Sequence, residues 1–363
     1  MNVLSISCKK GWAGIVTWVH KCALGLEGRG HKVWLLSHPD SLFNKAEPPG
    51  IRLLPKKLGM DFNPFMIGWL AAFIRSNKVD VVITNIKKEV VAGGIAARLS
   101  GIANVRMIGL PDDLNPACRW YQQKLVDHSI VPADDTLHQA MKRSGWLRPE
   151  DFTTVYIGRD PVTYSPEEIA DVRRRWGLSA DHLVLGCTAR LAEQKNPSAV
   201  LRVFREVVEE FPECRLVLTG DGPERKQLES LTEQLGLSDH VVLPGFSKDP
   251  MRATAAYDIA LLNSWTEGLP NTIMEYFALG KAVICTRVGG IPEVVDDGRN
   301  GLLVSPGDDR ALLDRIKMLI RDRAMRTRLG EQALATLRQR FADDMMVKAY
   351  EGVLEQAVAG KRS

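Results

Sequence analysis

Short β-rich apolar runs alternate with helix-patterned segments along this chain, and that alternation leaves few folds open. VLSIS (3–7), KVWLL (32–36), VDVVIT (79–84), NVRMIG (104–109), HSIVPA (128–133) and TTVYIG (153–158) are separated by helical patterns such as 15–29, 64–76, 89–100 and 134–143. Strands joined through helices run parallel, so the pattern predicts a doubly wound parallel sheet. A polar stretch, RDPVTYSPEE (159–168), interrupts the rhythm. It resumes with LVLGCTA, RLVLTG, VVLPGF, DIALLNS, AVICT and GLLVSP, with helices expected near 196–211, 223–236, 249–256, 271–280, 291–297 and 307–321.

With 363 residues the chain exceeds what one core usually supports. The expected fold class is α/β: two Rossmann-like doubly wound domains facing a cleft, linked near 159–180. The first spans 1–165 and the second 181–340. From about Asp308 to Val358 the tail reads as almost wholly helical, and about 341–363 is expected to cross back to the first domain.

Cysteines 8, 22, 118, 187, 214 and 285 are scattered singly, with no C-x-x-C or Cys/His ligand spacing, so reduced core thiols fit better than zinc or disulfides. No run of about 18 uncharged apolar residues is present, and the opening residues lack a signal-peptide pattern, which predicts a cytoplasmic chain. Residues 1–165 hold 21 Lys and Arg against 14 Asp and Glu, and the remainder 27 against 30. A basic first half suits an anionic substrate or membrane surface, or carries charge simply for solubility. Nucleic acid is disfavoured, because no aromatic and basic residues interleave on a strand platform.

Ligands of open α/β sheets sit where strands lead into helices. CTARLAEQKN (187–196) places Arg190 and Lys195 in such a loop, either as a clamp for a diphosphate or as a surface pair. LTGDGPER (218–225) reads as a turn whose Gly220 and Gly222 permit close backbone approach. SWTEGLPNTIMEYFALG (264–280) sets Glu267 and Glu275 eight positions apart. Its helix is capped by Asn271 or Thr272 and stopped by Gly280, and amides around Leu269 to Thr272 form an anion site. Glu275 lies roughly 6 Å further along the axis at 1.5 Å per residue. One carboxylate can accept from sugar hydroxyls and the other from ribose hydroxyls.

EGLPNTIME followed by ALGKAVICTRVGGIPEVVDDGRNGLLVSPGD, preceded by ARLAEQKN, LTGDGPER and LPGF in the same order, strongly resembles glycosyltransferase family 4, the retaining GT-B enzymes. The match is close over about 183–306. The resemblance implies transfer of a sugar, with retention, from a nucleotide-sugar such as a UDP-sugar to a saccharide or lipid-linked saccharide, for example a lipopolysaccharide core. It assigns Arg190 and Lys195 to the donor diphosphate, Glu275 to the ribose and Glu267 to the transferred sugar. Gly268, Leu269, Pro270, Asn271 and Thr272 supply donor-binding backbone and helix-start groups. Gly14, ending CKKGWAG (8–14), falls in the family's glycine-rich loop near donor phosphate or acceptor. That loop is not G-x-G-x-x-G, so a nicotinamide site is poorly supported. No Asp-x-Asp occurs, and fixed cations with helix amides can stabilise a departing diphosphate, so neither metal nor other cofactor is expected.

Many family members carry a His-Gly pair where this chain has Met107-Ile108-Gly109-Leu110. That departure marks either a subgroup or a lost activity. Asp112 and Asp113 read as acceptor contacts or as turn residues. Lys9, Lys10, Asn85 and Lys87, with Lys88, read as contacts to an anionic acceptor or as a solvated loop. In FNPFMIGWLAAFIR (62–75), Phe62, Phe65, Trp69 and Phe73 share a helical face flanked by Lys56, Lys57, Arg75 and Lys78. This is either an interfacial helix, giving peripheral contact with the inner face of the cytoplasmic membrane, or a helix covering the sheet. The alternatives in function are a nucleotide-sugar epimerase or sugar-phosphate synthase, and a non-catalytic nucleotide-sugar-binding protein.

Overall fold

The protein was analysed as a computed structural model, which describes residues 1–9, 14–41, 44 and 50–362. It divides into two compact units, Met1–Gly158 with the segment from Asp343 onward, and Arg159–Ala342.

The first unit is built on β1 (Asn2–Ser7), β2 (Lys32–Ser37), β3 (Arg52–Pro55), β4 (Val81–Thr84), β5 (Ala103–Met107), β6 (His128–Val131) and β7 (Phe152–Thr154). All pair in parallel, in the order β3-β2-β1-β4-β5-β6-β7. Six of these strands coincide with β-rich runs in the sequence. The edge strand β3 has no such run: RLLP is four residues long and closes on a proline, a residue that sheets tolerate at their edges. Helix Pro64–Ser76 buries Met66, Ile67, Leu70, Ala71 and Ile74. Trp69 and Phe73 pack half-buried against the same core, stacked with centroids 5.4 Å apart. Phe65, Phe62 and Met60 remain exposed. The apolar stripe therefore covers the sheet along most of its length and leaves an apolar tip at its start.

The C-terminal helix Asp343–Arg362 belongs to this unit. Lys21 pairs with Asp343, Glu351 takes His31 and Arg29, and the buried Tyr350 hydroxyl reaches Met107 sulfur at 3.5 Å. A Cβ on Gly25 would lie 2.2 Å from a Val347 methyl, so only glycine lets this helix pack so closely.

Strand order reverses between β1 and β4, and Glu89 of helix Lys87–Leu99 fills that place. Its carboxylate is 1% exposed. It accepts from Cys8 N (2.7 Å), Asn85 N (3.0 Å), Asn85 Nδ2 (3.1 Å) and Ile86 N (3.2 Å). Burial pushes the Glu89 carboxyl upward, against these four donors. Arg106 continues the network, donating to Asn85 O and Gln122, and Gln122 donates to Ser129.

The second unit holds β8 (Leu183–Thr188), β9 (Cys214–Thr219), β10 (Val241–Gly245), β11 (Ile259–Leu262), β12 (Ala282–Thr286) and β13 (Leu302–Val304), all parallel, ordered β10-β9-β8-β11-β12-β13. That is the Rossmann order, reversing between β8 and β11. The stretch anticipated as a linker contains helix Pro166–Arg175, nucleated by a capping box in which Ser165 and Glu168 exchange hydrogen bonds. Helices Asp309–Arg321 and Arg323–Arg340 complete the unit.

Replacing Glu89 by Leu strands several buried backbone donors. A loss of about 3 kcal/mol or more is expected, each such group costing roughly 1–3 kcal/mol. Urea unfolding of the variant against the parent checks it.

Candidate active site

The candidate site lies in the second unit, at the carboxyl ends of β8 and β11. The two strands pair only at Ile259↔Leu185 and Ala260↔Gly186. Past that point the Tyr276 hydroxyl stands between them, accepting from Thr188 N at 3.1 Å and donating to Leu261 O at 3.1 Å. Tyr257 lies beneath, its hydroxyl bonded to Thr188 and Thr219. Burial pushes both phenols upward, so they stay protonated.

Four loops meet above this crevice. The loop after β8 turns through a short 3-10 segment, Glu193–Lys195, and is sewn to the loop after β11 by Trp265 N to Gln194 O (2.8 Å) and Gln194 Nε2 to Thr266 O (2.8 Å). Thr286 at the end of β12 donates to Ser264 O (2.7 Å), and Gly290 N donates to Gly268 O (2.6 Å). Gly289, at φ +55°, would bring a Cβ within 2.0 Å of Glu267 O. Gly220 and Gly222, in the loop after β9, would bring one within 1.8 Å of Ala189 O and 2.2 Å of Leu191 O. Their close approach is to a neighbouring loop.

This sewing brings Lys195 and Glu267 together. Lys195 Nζ pairs with Glu267 Oε1, which also accepts from Ser264 Oγ at 2.6 Å. Glu267 is 6% exposed, so the ammonium and the hydroxyl compensate a carboxylate that is costly to bury alone. Arg190 differs from Lys195: its side chain is exposed, and among the described residues no hydrogen-bond or ion-pair partner meets it. An exposed guanidinium in the loop that also carries the lysine of that pair can receive an anion.

Gly268, Leu269 and Pro270 are buried and lead into helix Asn271–Ala278. A helix start favours an anion. Thr272 Oγ1 reaches Thr188 O at 3.4 Å, tying the helix start to β8. Further along the same helix, Glu275 Oε1 accepts from Arg159 Nη2 at 3.1 Å. Arg159 carries no motif signal in the sequence, and Gln194, Ser264 and Tyr276 lie inside the site motifs without a role read for them. Arg159 stands in a polar stretch, and Tyr276 reads as one more apolar-face aromatic.

The residues considered for the first unit are placed differently. Gly14 begins helix Gly14–Gly28 and is exposed. Lys9 is exposed; Lys10 lies outside the described residues. Asn85 is buried, its amide donating to Ile6 O and Glu89, so it serves the sheet before any ligand. Lys87 pairs with Asp61 at 2.9 Å, and Asp112 with Arg143. Among the described residues no group of three or more His, Cys, Asp or Glu gathers as a metal site.

The contrast between the two cations is measurable in stability. Arg190→Ala should change unfolding free energy by no more than about 0.5 kcal/mol, as for a surface side chain without partners. Lys195→Ala should cost about 3 kcal/mol, since it leaves Glu267 uncompensated. Denaturant unfolding of both variants provides the comparison.

Residues 168–336 match the family described as glycosyl transferases group 1, and residues 12–163 match glycosyltransferase family 4. The chain is 28% identical over 255 residues to N-acetyl-alpha-D-glucosaminyl L-malate synthase of Bacillus anthracis, covering 69% of this chain and 65% of that protein. It is 35% identical over 219 residues to the lipopolysaccharide core biosynthesis glycosyltransferase LpsD of Rhizobium meliloti strain 1021, covering 60% and 61%. The alignments thus span less than two thirds of either relative. In fold, it superimposes on Anabaena HepE, solved with UDP and glucose, with a TM-score of 0.86 and 22% identity over 98% of this chain and 99% of that one. With two all-parallel sheets and family matches along both units, the chain belongs to glycosyltransferase family 4 and has its GT-B fold.

Proposed function

We propose that this protein transfers a sugar from a nucleoside-diphosphate sugar, a UDP-sugar, to a saccharide or lipid-linked saccharide such as a lipopolysaccharide core. The observation that carries the reading is that the loops at the β8/β11 reversal hold an exposed Arg190, a buried Lys195–Glu267 pair and a helix start. The bond from the anomeric carbon to the phosphate oxygen breaks with its electron pair leaving on the diphosphate. Arg190, Lys195 and the amides at Asn271 and Thr272 stabilise that charge without reorganising. Glu267 meets the transferred sugar, with Gly268, Leu269 and Pro270 shaping the wall behind it, and Glu275 meets the ribose. Retention of configuration is the family's mode, and the fixed cations do the work of a divalent metal. The first unit takes the acceptor, with Gly14, Lys9, Lys10, Asn85, Lys87 and Asp112 as its contacts.

The protein acts in the cytoplasm, peripheral to the inner membrane face. The support is on the first unit, where exposed Met60, Phe62 and Phe65 follow Lys56 and Lys57 in the sequence. Apolar side chains entering the interface beside cations suit an anionic bilayer.

Calorimetric titration with UDP, GDP and ADP, followed by hydrolysis assays on the sugar conjugates of whichever binds, tests the donor reading. Glu275→Ala should weaken binding roughly 5- to 150-fold, equivalent to about 1–3 kcal/mol for a lost hydrogen-bonded carboxylate. Activity should survive EDTA; restoration only by added Mg²⁺ or Mn²⁺ would overturn the metal-free mechanism. For the membrane contact, flotation with phosphatidylglycerol vesicles should recover the parent protein, and Phe62→Ser with Phe65→Ser should abolish recovery. Equal recovery of parent and variant would sink that idea.

A further inference from the structure

We propose that Arg159 is the positioning residue for Glu275, and that this pair sets how strongly the site reads the ribose hydroxyls of its donor. The inference rests on the donor-site reading above. Glu275 is 12% exposed and Arg159 16%, so neither charge can rely on water for its solvation. A carboxylate in that setting needs a fixed counter-charge to stay ionised and aimed. Arg159 Nη2 supplies it at 3.1 Å.

The base of the arginine is itself fixed at two points. Its amide donates to Phe341 O at 2.8 Å, and three residues on, Val162 N donates to Ala278 O at 3.1 Å. Ala278 ends the helix that carries Glu275. The segment 159–162 is therefore registered against that helix, which sets where the guanidinium can reach.

Nη2 of Arg159 contacts Oε1 of Glu275, and among the described residues the buried Arg159 Nε meets no acceptor. The contact holds Glu275 at Oε1. A ribose presents two neighbouring hydroxyl donors, and an ionised, oriented carboxylate accepts both. Arg159 thus acts through Glu275, and its effect should follow the hydroxyls rather than the phosphates.

The readout is the affinity ratio of UDP to 2′-deoxy-UDP and to 3′-deoxy-UDP, with inorganic pyrophosphate as a control for the anion site. The parent should prefer UDP by about tenfold or more, the scale of a hydrogen bond to a charged acceptor. Glu275→Gln should bring the ratio close to one. Arg159→Gln should do the same while leaving pyrophosphate affinity within about twofold; Arg159→Met, which keeps apolar bulk, replaces it if the glutamine variant fails to fold. Loss of the ratio in Glu275→Gln but its full retention in the Arg159 variant overturns this inference and leaves the donor site standing. A ratio unchanged in Glu275→Gln overturns the ribose role of Glu275 and the inference with it.

Discussion

Two parallel strands that part company leave backbone groups facing a gap, and the second unit depends on how that gap is held. β8 and β11 separate after two paired positions, and the Tyr276 hydroxyl joins the Thr188 amide to the Leu261 carbonyl across the opening. A hydroxyl suits the place because it accepts and donates at once. Its ring comes from the helix that supplies Asn271, Thr272 and Glu275. Strand separation and helix placement are thus one constraint: moving the helix start away from the crevice would break both of those hydrogen bonds. Gly186 reinforces this, since a Cβ there would stand 2.2 Å from the Tyr257 ring.

The first unit meets the same topological problem with different chemistry. Its order also reverses beside its first strand, and a side chain from the helix after its fourth strand again fills the gap. That side chain is Glu89, a carboxylate, and it consumes the Cys8, Asn85 and Ile86 amides. These amides lie where a phosphate would sit in a fold of this kind. The first unit therefore fills its reversal with a side-chain carboxyl of its own. The second places a neutral hydroxyl, that of Tyr276, at its reversal.

The sheets were legible because a buried parallel strand is a short apolar run wherever it occurs, and such runs recur between helical patterns. β3 escaped because an edge strand of four residues ending in Pro55 has little apolar signal. The helix Pro166–Arg175 escaped because its surroundings are polar, although the S-P-E-E box that starts it is visible in hindsight. Within the site, Lys195, Glu267 and Glu275 were legible as charges in loops and on a helix that follow strands. Their partners were not: Lys195 meets Glu267 across 72 positions and Arg159 meets Glu275 across 116. Local spacing contains nothing about such pairings, which exist only once the sheet has placed the loops.

The sequence reads Gly220 and Gly222 as a turn that permits close backbone approach, and the structure shows what they approach. Gly220, Gly222 and Gly289 each lie against the carbonyl of an adjoining loop, too close for any side chain. The loops after β8, β9, β11 and β12 are consequently packed on one another before any ligand arrives. Such packing fixes the Lys195–Glu267 pair through main-chain contacts at Gln194, Thr266 and Gly268. A site assembled this way begins with its charges already placed, so little binding energy is diverted to ordering it. The exposed Arg190 is the exception. With no side-chain partner among the described residues, it must lose side-chain entropy when an anion binds, and its contribution should therefore be the most sensitive to salt.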